Sequence, residues 1–147
     1  MNSYGHKVNQ LARSFTKKLN EKISPLGLHS SQWAIIVCLY EKKQCTQIEL
    51  SQYLRVEAPT ITRTLARMEE NGWVTRQYGT DKRERHIKLT EKSHEMFVKW
   101  HEVKNSIEIG AIKDISKDEL DIFNNVLEKM IKNLYHNFGI SAESLLA

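Results

Sequence analysis

Val8, Leu11, Phe15 and Leu19 recur at three- and four-residue steps, the spacing of one helix face. This pattern predicts a first helix, ended by Ser24-Pro25-Leu26-Gly27, where proline and glycine break the period. Ser30 or Ser31 is placed to cap a second helix through Trp33, Ile36, Val37 and Tyr40. Ile35 and Leu39 put apolar residues on its other faces, so this helix is expected to be buried nearly all round. Thr46-Gln47-Ile48-Glu49 reads as a capping box, in which Thr46 accepts from the Glu49 amide while the Glu49 side chain reaches back. A short helix to about Leu54 follows. Glu57-Ala58-Pro59 restarts the chain, with Pro59 suited to the first position of the next helix. Ile61, Leu65 and Met68 form its buried stripe, and Asn71-Gly72 closes it, the glycine suiting a left-handed cap.

The period then changes. Trp73 to Tyr78 alternates apolar and polar residues around Val74, Gly79-Thr80-Asp81-Lys82 is polar, and Arg85 to Leu89 alternates again with Ile87 and Leu89 inward. These features predict a β-hairpin with a charged tip. Thr90 caps a long helix to about Ile112, and Ser116-Lys117-Asp118-Glu119 is a second capping box. It opens a last helix striped by Leu120, Phe123, Leu127, Met130 and Leu134, and the tail after Gly139 is expected to be loosely held. The fold class is therefore mainly α with a small β-hairpin wing. The central run of short helix, tight turn, second helix and hairpin is a winged helix-turn-helix, placed at residues 31–90. Residues 91–111 are read as a connecting helix, and residues 1–30 and 112–147 as dimerisation helices. The physical ground for the dimer is that the stripes on residues 8–19 and 120–134 lie outside the winged unit. Left open they would make a large apolar patch, whereas pairing across a two-fold axis buries them and aligns two reading heads.

The helix from about Pro59 to Asn71 carries the chemistry. With its apolar stripe turned inward, the opposite face shows Thr60, Arg63 and Arg67, flanked by Pro59 and Thr62. Arginine donates two hydrogen bonds to guanine, and threonine bonds a base or phosphate and packs on a thymine methyl. A plain solvated face would carry a Glu/Lys mixture, yet Glu69 and Glu70 come only at the far end. The hairpin adds Lys82, Arg83, Arg85 and Lys88, a basic tip that can reach phosphate or the adjacent minor groove. Charge distribution agrees: the chain carries +4 overall, made of +5 over residues 1–45, +2 over 46–90 and −3 over 91–147. A basic front and an acidic back suit a protein that presents one side to a polyanion, here double-stranded DNA.

From Thr46 to Thr90 the chain resembles the MarR (multiple antibiotic resistance regulator) family. Ala58 to Arg76, APTITRTLARMEENGWVTR, resembles the family's recognition helix and first wing strand. Asp81 to Thr90, DKRERHIKLT, resembles its wing signature. The resemblance implies a two-fold homodimer interlocked through the first and last two helices. Its recognition helices would lie in successive major grooves of a palindromic operator, with the wings in the flanking minor grooves. It makes Thr60, Thr62, Arg63 and Arg67 groove or phosphate contacts and Arg83 the wing-tip arginine. Asp81 would orient the wing by an ion pair. Lys82 departs from the arginine usual there and loses the planar fork. The resemblance also implies a small aromatic or lipophilic effector, for which Phe15, His29, Trp33 and Trp100 are the candidate lining residues.

Other chemistry finds little footing. There is no phosphate-binding glycine loop, nucleophile elbow or paired-carboxylate signature, so no enzyme and no cofactor is expected. His94 and His101 share a helix face near Glu95 and Glu102, but Val98 occupies the place a metal-binding His-Glu-x-x-His pair would need, and no metal is expected. Cys38 sits within an apolar run, while Cys45 follows Lys42 and Lys43, a mildly activating setting for a redox thiol. The longest apolar run, Trp33 to Tyr40, is eight residues, well short of the roughly 20 that span a membrane. Without a signal-peptide pattern, the chain is read as cytoplasmic. The function expected is a ligand-responsive repressor. The alternatives are an activator or redox-responsive regulator of the same fold, or a winged helix that binds protein instead of DNA.

Overall fold

A computed structural model describes residues 3–78 and 85–136. Asp81, Lys82, Arg83 and the tail after Gly139 lie outside the described residues. Six α-helices, a short 3-10 turn (Ser24–Leu26) and three strands are described: α1 (Tyr4–Ile23), α2 (Ser30–Lys42), β1 (Cys45–Thr46), α3 (Gln47–Leu54), α4 (Ala58–Glu70), β2 (Val74–Tyr78), β3 (Arg85–Leu89), α5 (Glu91–Ala111) and α6 (Lys117–His136). The chain divides into two units, one to Glu108 and one from Ile109.

The first unit holds the core. Ile36, Leu50, Leu65, Met68 and Trp100 have no exposed surface, and Ile61 and Ile87 are almost as deeply placed. The two helices of the reading head are joined by a tight turn in which Arg55 takes a left-handed conformation (φ 52°). The turn is closed by the Val56 amide donating to the Ser51 carbonyl at 3.2 Å. Ser51 Oγ donates in turn to the Val56 carbonyl at 2.6 Å. Pro59 is the second residue of α4, one place later than the first position expected and still within the first turn. Gly72 ends that helix with φ 76°.

The wing has a third strand that the alternation pattern does not reveal. The sheet order is β1-β3-β2, with Cys45 opposite Ile87 and Thr46 opposite His86. Two residues are too few to show a period, and Cys45 lies in the sheet just ahead of the helix that Thr46 caps. The forward half of the Thr46 capping box is present, with Thr46 Oγ1 accepting from the Glu49 amide at 3.2 Å.

α2 also departs from expectation. Its cap is His29, not Ser30 or Ser31: the His29 ring accepts from the Ser31 amide and Gln32 Oε1 accepts from the His29 amide at 3.0 Å. One side of the helix stays open, because Ala34 is exposed and Tyr40 keeps 46% of its surface. Tyr40 lies flat on Phe97 of α5, with ring centroids 3.7 Å apart, and Phe97 stacks on Trp33 at 5.6 Å.

The end of α4 is pinned to α5 and to the turn after α1. Trp73 Nε1 donates to the Gly27 carbonyl at 3.2 Å, and Ser93 Oγ to the Trp73 carbonyl at 2.6 Å. Lys92 Nζ lies 4.1 Å from the Trp73 ring centre and donates to the Asn71 carbonyl at 3.0 Å. Gly27 cannot be replaced freely: its φ is 82° and a Cβ there would stand 3.0 Å from Trp73 Cζ2.

In the second unit, α6 starts on the capping box read from Ser116 and Glu119, and both limbs form, at 3.1 and 3.3 Å. Phe123 keeps 45% of its surface and Leu134 59%, so the stripe on this helix is exposed among the described residues. Among the described residues no helix is long and apolar enough to cross a membrane.

Candidate nucleic-acid interface

α4 owes its orientation to its own sequence. Ile61, Leu65 and Met68 are buried to 2% exposure or less. Pro59, Thr60, Thr62, Arg63 and Arg67 are thereby turned out, and all five are exposed. Among the described residues neither Arg63 nor Arg67 has a side-chain hydrogen bond or ion pair. Arg76, at the far end of the reading head, differs: it is half-buried and its Nε stands 3.2 Å from Glu69 Oε2. That pair spends Glu69 on tying the end of α4 to β2. Arginines held open next to one that is neutralised leave a positive stripe without a built-in counter-ion.

Thr60 and Thr62, grouped together from the sequence, are treated differently by the fold. The Thr62 hydroxyl donates to the Ala58 carbonyl at 2.9 Å and accepts from Gln47 Nε2 of α3. A hydroxyl has one proton to give, so Thr62 has no donor left for a base or phosphate. Its place in the structure is to hold α3 against α4. Gln47 is the partner that sequence reasoning missed, since nothing in a capping box distinguishes its second residue. The Thr60 side chain faces out and its carbonyl accepts from Thr64 Oγ1 at 2.9 Å.

On the wing, Arg85 is exposed with its guanidinium carbon 5.3 Å from the Tyr78 ring centre. The cation–aromatic contact holds the strand-end arginine over its neighbour without neutralising it.

The four aromatic candidates for an effector site are scattered. Trp100 is fully buried, edge-on to Trp73 at 4.9 Å, with Nε1 donating to the Leu26 carbonyl at 3.1 Å. It is a core anchor whose polar handle is already satisfied. Trp33 is buried in the stack with Phe97, and Phe15 is half-buried on α1. His29 lies instead in a cleft of about 290 Å³ shared with Thr60, Arg63 and Arg67, on the reading side. The two clefts described include no wall from Phe15, Trp33 or Trp100.

The activated-thiol reading of Cys45 is corrected by its burial. Cys38 and Cys45 are both 1% exposed, with their sulfurs 3.8 Å apart. Burial pushes the Cys45 thiol up from 9.0 to about 12 and raises Cys38 as well, against the smaller pull of Lys42. A thiol so placed carries almost no thiolate at neutral pH, and the lysines that suggested activation do not offset desolvation. His94 and His101 pack as rings against Tyr40 (6.0 Å) and Phe97 (5.8 Å).

The MarR family model matches residues 28–84, a stretch that includes α2, α3, α4 and β2. An uncharacterized HTH-type transcriptional regulator of Bacillus subtilis (strain 168), YwoH, is 39% identical over 127 residues, covering 86% of this chain and 93% of that protein. A mutant MarR from E. coli, solved in complex with operator DNA, superposes with a TM-score of 0.81 at 26% identity, covering 86% of this chain and 92% of that one. In fold alone, a putative MarR family regulator from Listeria monocytogenes complexed with a 26mer DNA matches at a TM-score of 0.83 and 20% identity, over 96% of this chain and 98% of that one. With the helix-turn-helix, the wing and these likenesses together, the chain belongs to the MarR family and is a winged helix-turn-helix transcription regulator.

Proposed function

We propose that the protein binds a palindromic operator as a homodimer and represses transcription by occupying it. The observation that carries this reading is the open stripe of Thr60, Arg63 and Arg67 on α4, two guanidiniums on one exposed helix face without a described partner. In this reading the N-terminal half of α4 enters the major groove, the arginines reach base edges or phosphates, and Pro59 and Thr60 approach first. Arg85, with Lys82 and Arg83, brings the wing to the flanking minor groove, and Asp81 orients it. The role is one of binding and not catalysis.

The homodimer is supported by the apolar surface of the single chain. Val8 and Leu11 of α1 are 44% and 45% exposed, and Phe123, Val126 and Leu134 of α6 are exposed to a similar or greater degree. Apolar faces of this extent are covered in stable proteins, and a second copy supplies the matching surface. Two recognition helices related by a two-fold axis would then meet half-sites one helical turn, about 34 Å, apart. For a small aromatic effector, Phe15 and Trp33 are the candidates that remain, Trp100 being enclosed by its own core.

The test is operator binding by Arg63→Ala, on a duplex selected from a random pool by the wild-type protein. Affinity is expected to fall by about 1–3 kcal/mol, with preference relaxed at one base position or the salt slope reduced by about 1. Unchanged affinity, base preference and salt slope would remove α4 from the DNA. Equal affinity for all duplexes would replace the operator reading with sequence-independent binding.

A further inference from the structure

The cleft that holds His29 contains more than the α4 stripe needs. Its walls are His29 and Ser31 from the start of α2, with Thr60, Arg63 and Arg67 from α4. None of the residues lining it is acidic, and two are arginines. It lies beside the face assigned to DNA, but on a different helix.

The His29 ring is fixed in both orientation and tautomer. Its Nδ1 accepts from the Ser31 amide at 3.3 Å and lies 2.9 Å from Ser31 Oγ. A ring nitrogen that accepts a backbone N–H carries no proton, so the neutral imidazole holds its proton on Nε2. The backbone is fixed as well, by the His29 amide donating to Gln32 Oε1 at 3.0 Å. The imidazole is exposed and lines a cleft whose walls include two arginines. Serine or threonine could cap the helix as well as histidine does, but neither would carry a donor beyond the capping atom. What histidine adds is the second nitrogen.

We propose that His29 is a DNA-backbone contact: its Nε2–H donates to a phosphodiester oxygen beside the groove read by α4, while Arg63 and Arg67 lower the cost of bringing that anion into the cleft. The inference rests on the operator reading above and extends it to a second helix. A backbone contact fixes register and carries no base information. Its loss therefore lowers affinity evenly across sequences.

The experiment uses the full-length protein and the selected duplex. His29→Asn keeps a side chain that caps helices well but is too short to keep the outward donor. Its thermal melt is expected to match the wild type. Its affinity is expected to drop about threefold to tenfold, with base preference unchanged. In phosphate-ethylation interference, one backbone position that blocks the wild type should cease to matter for His29→Asn. The inference is overturned by wild-type affinity in His29→Asn, by an unaltered interference pattern, or by loss confined to one base pair. It is also overturned if millimolar inorganic phosphate shifts the wild-type His29 ring ¹⁵N resonances while His29→Asn still binds DNA normally, since the cleft would then serve a free anion. Failure of the underlying reading looks different: the wild type would select no duplex, or Arg63→Ala would bind as the wild type does.

Discussion

α4 and α6 carry nearly the same pattern and meet opposite fates. Each places large apolar residues at three- and four-residue steps along one face. In α4 that face is gone from solvent, with Leu65 and Met68 at 0% exposure. In α6 no described residue is fully buried, and Phe123 and Leu134 stand at 45% and 59%. Periodicity thus reports that a face is to be covered, not what covers it. α4 is covered by its own chain and can present a rigid polar face to DNA. α6 keeps its apolar stripe exposed among the described residues, and that exposed surface is the physical content of the dimer proposal.

Paired substitutions break the comparison most directly. Leu65→Ala should cost about 2–5 kcal/mol in urea unfolding, because it leaves a cavity in a closed core. Phe123→Ser should leave the far-UV spectrum unchanged and move the protein toward monomer in sedimentation equilibrium. If Phe123→Ser unfolds the chain as Leu65→Ala does, α6 belongs to a single-chain core and the contrast collapses.

Alkaline titration probes how tightly the first unit is closed. The Cys45 thiol is raised from 9.0 to about 12 by burial, so the folded state holds a proton that the unfolded chain has lost. Stability from this group is complete below pH 9 and declines as pH rises toward 12, by about 1.4 kcal/mol per unit. Urea midpoints of the wild type should therefore fall faster than those of Cys45→Ala across that window. Parallel curves would mean that water reaches the thiol. The same burial predicts that alkylating reagents modify Cys38 and Cys45 only after unfolding, as read by mass spectrometry under native and denaturing conditions.

The smallest expected effect concerns the pin at the end of α4. Gly27→Ala places a Cβ against Trp73 at a backbone angle that L residues avoid, and should cost about 1–2 kcal/mol in thermal unfolding. Retention of wild-type stability would show that the Trp73 indole can move aside, and that α4 is aimed by Ile61, Leu65 and Met68 alone.

Much of the reading head was legible because its signals are local. The break at Ser24 to Gly27, the stripe of α4, its stop at Asn71-Gly72 and the Ser116 box each lie within a few residues. What escaped depends on partners distant in the chain. β1 is two residues long and exists only through β3, some 40 positions later. Thr62 looked like a reading residue until Gln47 met it across the turn. His29 was grouped with aromatics for a lipophilic effector, although the Gln three residues on is the partner a capping box would have. Trp100 and Cys45 share a feature that local signals miss: burial is set by the whole fold, and neighbours such as Lys42 and Lys43 say little about it.

The sequence by itself determined that α4 turns Thr60, Arg63 and Arg67 outward, since 3.6-residue periodicity and the apolar positions leave no other face. It also determined that two further stripes need cover, since apolar surface of that extent is costly in water. Only the tertiary structure decided which of those outward groups remain free to bind. Hydrogen-bonding capacity is finite, and the fold assigned the Thr62 hydroxyl to α3, left Arg63 and Arg67 without a described partner, and fixed the His29 ring in the cleft that they also line.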